Sequence, residues 1–543
     1  MVLLIALDAK YIHTNLAVRL LKANCDFPVT IKEFTINDRT QQIMESIVSL
    51  RPEVIGFSVY IWNVMIVKKL TKAIKDIMKT IIVWGGPEVS YDYEEYIREN
   101  PVDYIISGEG EITFNKLLRF LKEGGDINRI PNLIYREKGK TIATKKELIA
   151  DLSSLKDPYR LEEFIDDIPH KIQYLELSRG CPFHCSYCLA SLDNKIRYFP
   201  VSRVIDSIDY LLSVGARTFK FLDRTFNVKE TLAEKIIDHI IDLDIKDVSF
   251  QFEITGDILS QDFIDKINSR APRNRIRFEI GIQSTNPETN ALVNRHQDIP
   301  RLFQTIKYIQ EKDVIDLHLD LIAGLPQEDI VSFETTFNKS IRLFPKELQL
   351  GVLKLLRGTS LRDEAKRHGY VYNADPPYEI YSSKWLSAID MQKIVLVERM
   401  LNVHYNKGFM NRAIRFVIDN VASPFSLFLA LGNYWKESGY AFGGYQLMDV
   451  FERFNMFIEH AYPEISGENL SLLKLDYLLY HKQKPKLWWR RLPNRNEILR
   501  KFYETNREYQ LVELYKRAVV TTYRDHYLIV VYGESLPVVF HHS

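Results

Sequence analysis

Twice along this chain, short strand-like runs alternate with amphipathic helical segments, and in residues 1–150 those runs are continuously apolar. That rhythm restricts it to parallel sheets covered on both faces. In residues 1–150 the runs are VLLIAL, VIGFSVY from Val54, IIVWGGP from Ile81 and VDYIISGEGE from Val102, with helical segments such as NVMIVKKLTKAIKDIMK between them. Ligands of open α/β sheets bind at the carboxyl ends of such strands. No Gly-x-Gly-x-x-Gly follows the first run, which leaves a dinucleotide reading weak. From Gln173 the rhythm resumes with YLELS, FKFL, VSFQFE, RFEIG, DLHLDLIAG and LQLGVLKLL. Six such units predict an incomplete (β/α)6 barrel of the TIM type, with its chemistry at the C-terminal strand ends.

The rest of the chain divides around these two regions. Residues 151–172, DLSSLKDPYRLEEFIDDIPHKI, are acidic and hold two prolines, as a linker would. The barrel is expected over 173–370. Residues 371–543 read as a mainly helical C-terminal domain rich in Tyr, Phe and Trp, ending in an extended TTYRDHYLIVVYGE. The expected fold class is therefore α/β multidomain: a doubly wound, Rossmann-like sheet, a partial barrel and a helical domain. A length of 543 residues and 46% hydrophobic content suit about three globular domains. Net charge is +1, so any nucleic-acid footprint must be local. The opening MVLLIALDAKYIH reads as a buried strand rather than a signal peptide, and no run approaches the ~18 apolar residues that span a bilayer. No membrane partner is expected.

Three of the four cysteines fall within SRGCPFHCSYC, directly after the first barrel strand. Sparse cysteine points to a reducing cytoplasm and away from a disulfide framework. Cys181, Cys185 and Cys188 form C-x3-C-x2-C. Three thiolates can hold three irons of a [4Fe–4S] cluster and leave the fourth open. The competing reading is zinc, which wants four ligands. His184 lies inside the loop, but Cys25 belongs to another domain.

The loop resembles that of the radical S-adenosylmethionine (SAM) enzymes. The resemblance implies that SAM chelates the open iron and is cleaved reductively to a 5′-deoxyadenosyl radical, which abstracts a substrate hydrogen. It assigns Tyr187 to the cluster loop. It places Asp223 of FLDRTFN, Glu253 of QFEITGD, Glu279 and Gln283 of FEIGIQS, and Arg295 of ALVNRH around SAM. GLPQE from Gly324 and VLKLLRGT from Val352 resemble its adenine-side loops. The bland alternative is a barrel-rim ion pair for each acid and a solvated helix face for Arg295. A flavodoxin- or ferredoxin-type reductant is implied.

A doubly wound domain ahead of such a barrel resembles the cobalamin (B12)-binding radical SAM subfamily, the class B methylases. The strand-end loops are DAKYIHTN, SVYIWN, WGGPE and SGEGE. The resemblance places Tyr11, His13, Ser58, Tyr60, Trp62, Gly85, Gly86, Gly108, Glu109, Gly110 and Glu111 around the corrin or its nucleotide tail. Asp-x-His-x-x-Gly, whose His ligates cobalt in B12 mutases, is absent from residues 1–150. The lower cobalt face is then expected to lack His, with Tyr60 or Trp62 capping it. His13 has a structural alternative, as a hydrogen-bonded side chain. The implied reaction is methyl transfer from methylcobalamin to a substrate carbon radical. A ring-forming or rearrangement enzyme with the same cofactors stays open, as does a cobalamin or cluster sensor that grips nucleic acid.

In HKQKPKLWWRRLPNRNEILRKF, residues 481–502, eight Lys and Arg surround Trp488 and Trp489 against the single acid Glu497. Basic residues with aromatics suit phosphate contact and base stacking, and a tRNA nucleoside is the expected substrate. The alternative is a solvated charged face over two core tryptophans.

Overall fold

A computed structural model describes residues 1–533 and 537–542. Its first sheet has seven strands: β1 (Val2–Asp8), β2 (Val29–Thr35), β3 (Val54–Ser58), β4 (Ile81–Gly85), β5 (Tyr104–Ile106), β6 (Leu133–Glu137) and β7 (Lys140–Ala143). The order is β2-β1-β3-β4-β5-β6-β7, parallel through β5 and antiparallel beyond it. β3 is buried at every position, and its side chains feed two cores, one on each face of the sheet. β2 was not expected. VTIKEFT sits at the sheet edge with only Val29 and Ile31 buried, so it lacks a continuous apolar run. The β6–β7 hairpin is also an addition. Lys138 and Gly139 at its tip have φ of 49° and 78°, as a type I′ turn requires.

The barrel begins with β8 (Gln173–Leu175), followed by the short antiparallel pair β9 (Ser178–Arg179) and β10 (Arg197–Tyr198). Then come β11 (Thr218–Phe221), β12 (Ser249–Ile254), β13 (Ile276–Gln283), β14 (Asp316–Ala323) and β15 (Glu347–Val352). β8 and β11 to β15 make one open, all-parallel sheet in chain order, with a helix between each successive pair. Along β12, Phe250, Phe252 and Ile254 are buried while Gln251 and Glu253 are only partly so. The apolar face packs on the helices and the polar face lines the barrel interior.

Residues 151–172 are not a loose linker. They form two 3-10 segments, Leu152–Ser154 and Glu162–His170. Leu152, Leu155 and Ile168 enter the barrel core, and Phe164 enters the core of the first sheet. Polar composition hid these four anchors.

The C-terminal region is mainly helical and closes with a meander of β18 (Ala518–Tyr523), β19 (His526–Val531) and β20 (Val538–His542). Its entry is a small hairpin, β16 (Val371–Tyr372) with β17 (Ile380–Ser382). The helices share one continuous hydrophobic core with the barrel; Phe425, for instance, stands edge-on to Phe333 and Phe337. Among the described residues no single helix is long and apolar enough to cross a membrane.

Candidate functional site

The carboxyl ends of β1, β3, β4 and β5 face the carboxyl ends of the first barrel strands across a cavity of about 890 Å³. From the first sheet it is lined by His13, Ser58, Tyr60, Trp62, Gly85, Gly86, Glu109, Gly110 and Glu111. The cavity continues down a slot past Leu4, Gly56, Val83, Ile106 and Phe114, between the sheet and helix Glu111–Glu123. A Cβ on Gly56 would lie 2.5 Å from Leu4 Cδ2, so a larger residue there would push the Leu4 side chain aside at the slot. Barrel residues Tyr174, Glu176, Ser178, Gly180, Leu189, Ala190, Leu222 and Arg224 form the opposite wall. Leu189 and Ala190 directly follow Cys188, so one cavity borders both cofactor regions.

Two residues assigned to the corrin side lie elsewhere. Tyr11 is 60% exposed and outside the cavity wall, with the Lys171 ammonium over its ring. Gly108 is also off the wall; its N–H donates to Ser90 Oγ at 2.8 Å. Neither displacement was visible from loop composition. His13 is in the wall, but its Nδ1 is 2.7 Å from Tyr174 OH and its backbone bridges to Ile172. It is a hydrogen-bonded link between sheet and barrel. Tyr60 and Trp62 stack at 4.4 Å, and Trp62 Nε1 donates to the Leu7 carbonyl at 3.1 Å. Asn63 fixes their loop by donating to the Leu7 and Ser58 carbonyls.

Glu109 and Glu111 line the cavity, yet their carboxylates are held by arginines. Arg179 reaches Glu109 at 3.0 Å, Glu111 at 2.7 Å and Glu176 at 3.0 Å. Arg197 adds a second contact to Glu109 at 2.8 Å. Burial would raise the Glu109 pKa, but the Ile149 N–H and the two guanidiniums outweigh it and hold the carboxyl below its ordinary value. The acids of SGEGE thus grip the stem of the cysteine loop. Arg179 stands two residues before Cys181, a position to which the sequence reading gave no role.

The loop itself is shaped by its backbone. Gly180 has φ of 92°, and a Cβ there would lie 2.6 Å from the Lys195 carbonyl oxygen. Cys181 N–H donates to Asp193 O, Ser186 N–H to Val293 O, and Leu361 N–H to Ser186 O. Cys181 and Cys185 are buried and Cys188 is half-buried. Among the described residues no three His, Cys, Asp or Glu donors converge on a point that would hold a single metal ion. A zinc tetrahedron would bring thiolates within ~3.8 Å of each other, given Zn–S near 2.3 Å. His184 is exposed, so it supplies no buried fourth donor. Two buried thiols and a half-buried one on a single loop supply the three donors that a cluster with one open iron needs.

Around the loop, Arg295 is no solvated helix face. Its Nη1 is 3.2 Å from Tyr187 OH and 3.9 Å from Cys185 Sγ, and Nη2 bonds the Gly281 carbonyl. Asp223 is 1% exposed, and its oxygens accept from Leu177 N–H at 2.9 Å and Ser178 Oγ at 2.6 Å. Burial pushes its pKa up to about 7. It braces the turn between β8 and β9. Glu253 and Glu279 stand side by side on β12 and β13. Burial, and then Glu279, push Glu253 up to about 7 against the pull of Arg224. Glu279 accepts from Gln251 Nε2. Gln283 has φ of 65° at a bulge ending β13, and its Oε1 is buried without a partner. That orphaned acceptor beside Arg295 is a free polar handle at the barrel mouth.

The C-terminal tryptophans settle differently. Trp488 and Trp489 pack on the barrel–helix core, 5.0 Å apart and edge-on, with Trp489 5.8 Å from Tyr477. Lys482, Lys484, Lys486, Arg490, Arg491 and Arg500 are exposed around them.

Three family models match successive parts of the chain: a B12 binding domain over residues 2–118, the radical SAM superfamily over 175–339, and a protein family of unknown function (DUF4080) over 366–529. The chain is 27% identical over 330 residues to an uncharacterized methyltransferase, PH0819, of Pyrococcus horikoshii, covering 58% of this chain and 69% of that one. It is 25% identical over 264 residues to the anaerobic magnesium-protoporphyrin IX monomethyl ester cyclase of Synechocystis, covering 46% and 52%, so it spans about half of that relative. In fold it is similar to the cobalamin-dependent SAM radical enzyme OxsB with aqua-cobalamin and SAM bound, with a TM-score of 0.63 at 13% identity over 88% of this chain and 83% of that one. The chain thus carries a B12 binding domain and a radical SAM domain, each matched by its own family model, and the two share one cavity.

Proposed function

We propose that this protein methylates a carbon atom of its substrate, using cobalamin as methyl carrier and SAM at a [4Fe–4S] cluster as radical source. The observation that carries the reading is the shared cavity: corrin-side loops form one wall and the cysteine loop borders the other. When bound, the cluster with SAM supplies a carbon-centred radical and methylcobalamin supplies the methyl group.

The chain's own residues bind, orient and exclude water. Cys181, Cys185 and Cys188 would hold the cluster, with Gly180 and Asp193 O setting the loop path. Arg295, fixed by Gly281 O, keeps a cation beside Cys185, and Gln283 Oε1 offers an acceptor for a SAM donor group. Glycines 85, 86 and 110 let a corrin edge approach the backbone, and the slot lined by Gly56 and Phe114 would take its nucleotide tail. Tyr60 and Trp62 present a stacked aromatic pair to the corrin. Leu189, Leu222 and Leu356 make an apolar rim that keeps water from the reacting carbon.

For substrate we propose a tRNA nucleoside. Support comes from the exposed cations between Lys482 and Arg500; the packed tryptophans add none. A flavodoxin- or ferredoxin-type reductant and a cytoplasmic setting belong to the same proposal. The similarity to a magnesium-protoporphyrin cyclase keeps ring formation as the second reading.

The test is anaerobic reconstitution with iron, sulfide, cobalamin and SAM, followed by incubation with fractionated small RNA and cell extract. Methyl transfer yields S-adenosylhomocysteine and 5′-deoxyadenosine together. Release of 5′-deoxyadenosine alone would favour ring formation, and modification confined to small metabolites would reject the RNA substrate.

A further inference from the structure

The C-terminal region matched only by a family of unknown function reaches back to the cobalamin-side cavity through one side chain, Tyr378. This tyrosine lies between β16 and β17, is 0% exposed, and has φ of 61°. A bulky residue in the left-handed region is uncommon and costs conformational energy unless its surroundings enforce it. Here Tyr378 N–H donates to Asp375 O, and Leu355 N–H donates to Tyr378 O. These bonds aim the ring away from its own hairpin and into the joint between the sheet and the barrel.

At that joint the Tyr378 hydroxyl donates to Glu88 Oε1. Tyr96 OH donates to the same oxygen at 2.6 Å. Arg357 Nε donates to Tyr378 OH at 2.9 Å, while its two terminal nitrogens grip Glu95 at 2.7 and 3.0 Å. Glu88 is 5% exposed and lines the cavity, as does Arg357. Glu88 directly follows Gly85–Gly86–Pro87, the loop that ends β4. A Cβ on Gly86 would lie 2.4 Å from Val59 O, so this loop is pressed onto the β3 loop that carries Tyr60 and Trp62. One buried carboxylate is thus the meeting point of all three regions.

We propose that Tyr378 is a positioning residue for cobalamin: it holds the β4 loop, through Glu88 and Arg357, in the shape that receives the corrin. The C-terminal region then forms part of the cofactor housing rather than only a separate substrate module. This rests on the reading of the cavity as the cobalamin site.

The test uses the full chain, titrated with hydroxocobalamin and followed by its visible absorption. Y378F keeps the ring and deletes two charge-assisted hydrogen bonds, the one donated to Glu88 and the one accepted from Arg357. Hydroxocobalamin affinity should fall about 10-fold, since such bonds contribute roughly enough for that factor. Iron bound on reconstitution should stay at the wild-type level. Y370F is the control. Tyr370 belongs to the same hairpin, is 8% exposed, and donates to Gly324 O at 2.9 Å, toward the barrel rather than Glu88. Its removal should lower the melting temperature without changing hydroxocobalamin affinity. Wild-type affinity in Y378F, or equal losses in Y378F and Y370F, would overturn the proposal. If the wild-type chain fails to bind hydroxocobalamin, the reading of the cavity falls and this inference with it.

Discussion

Replacing Gly180 by alanine should empty the cysteine loop of iron while leaving the fold in place. With φ of 92°, the position is one that L residues avoid, at a cost of about 1–2 kcal/mol. The new Cβ would also sit 2.6 Å from Lys195 O and 3.1 Å from Asp193 O, both backbone atoms of the segment that returns to β10. Neither is the end of a flexible side chain, so β9 and β10 must part. Overpacking of this kind costs about 1–3 kcal/mol. Together the two terms make about 2–5 kcal/mol against the loop shape that presents Cys181. The competent population, and with it apparent cluster affinity, then falls between about 30-fold and about 5,000-fold. The assay is anaerobic reconstitution, a brief chelator challenge, and quantification of retained iron and sulfide, with circular dichroism as the check on fold. G439A is the comparison, since Gly439 has φ of 69° with no atom within 4 Å of a new Cβ. It should cost only the backbone contribution, about 1–2 kcal/mol, and retain iron like the wild type. Full iron retention in G180A, or equal loss in G439A, would refute the reasoning.

Three further outcomes are expected. R179Q leaves Glu111 and Glu176 without a cation at side-chain exposures of 6% and 18%, so it should destabilise by about 3 kcal/mol, and R179Q/E111Q should melt higher than R179Q alone. Burial pushes Asp223, Glu253 and Glu328, the last being the fully buried acid that ends GLPQE and accepts from Ser284 Oγ, up to about 7, so the native chain binds protons more tightly than the unfolded one from about pH 4 to 7; melting temperature should rise as pH falls from about 8 to 6.5, and rise less in E328Q. W489A should destabilise by about 2 kcal/mol while leaving salt-dependent RNA binding intact, whereas K482E/R490E should weaken that binding without lowering the melting temperature.

Several features of the fold were legible because they are written locally. Continuous apolar runs marked β1, β3, β4 and β5, as burial on both faces of a sheet demands, while the barrel strands showed as apolar residues alternating with polar ones that face the interior. The edge strand β2 escaped notice because one polar side needs only two apolar residues, Val29 and Ile31, to anchor it. The anchors inside 151–172 were hidden for a similar reason: four side chains, spaced among acids, dock on two different cores.

For the site, residue order alone picked out the three cysteines, their position after the first barrel strand and the glycine-rich loops facing them, because each is a short pattern whose chemistry needs no distant partner. Pairing was decided only in three dimensions. Glu109 and Glu111 turned out to hold Arg179, Arg295 to lie beside Cys185, and Tyr378 to meet Glu88 from 290 positions away. A charged or phenolic side chain carries no local mark of its partner. Its role depends on which opposite group burial forces it to meet, and only the packing of sheet, barrel and helices settles that.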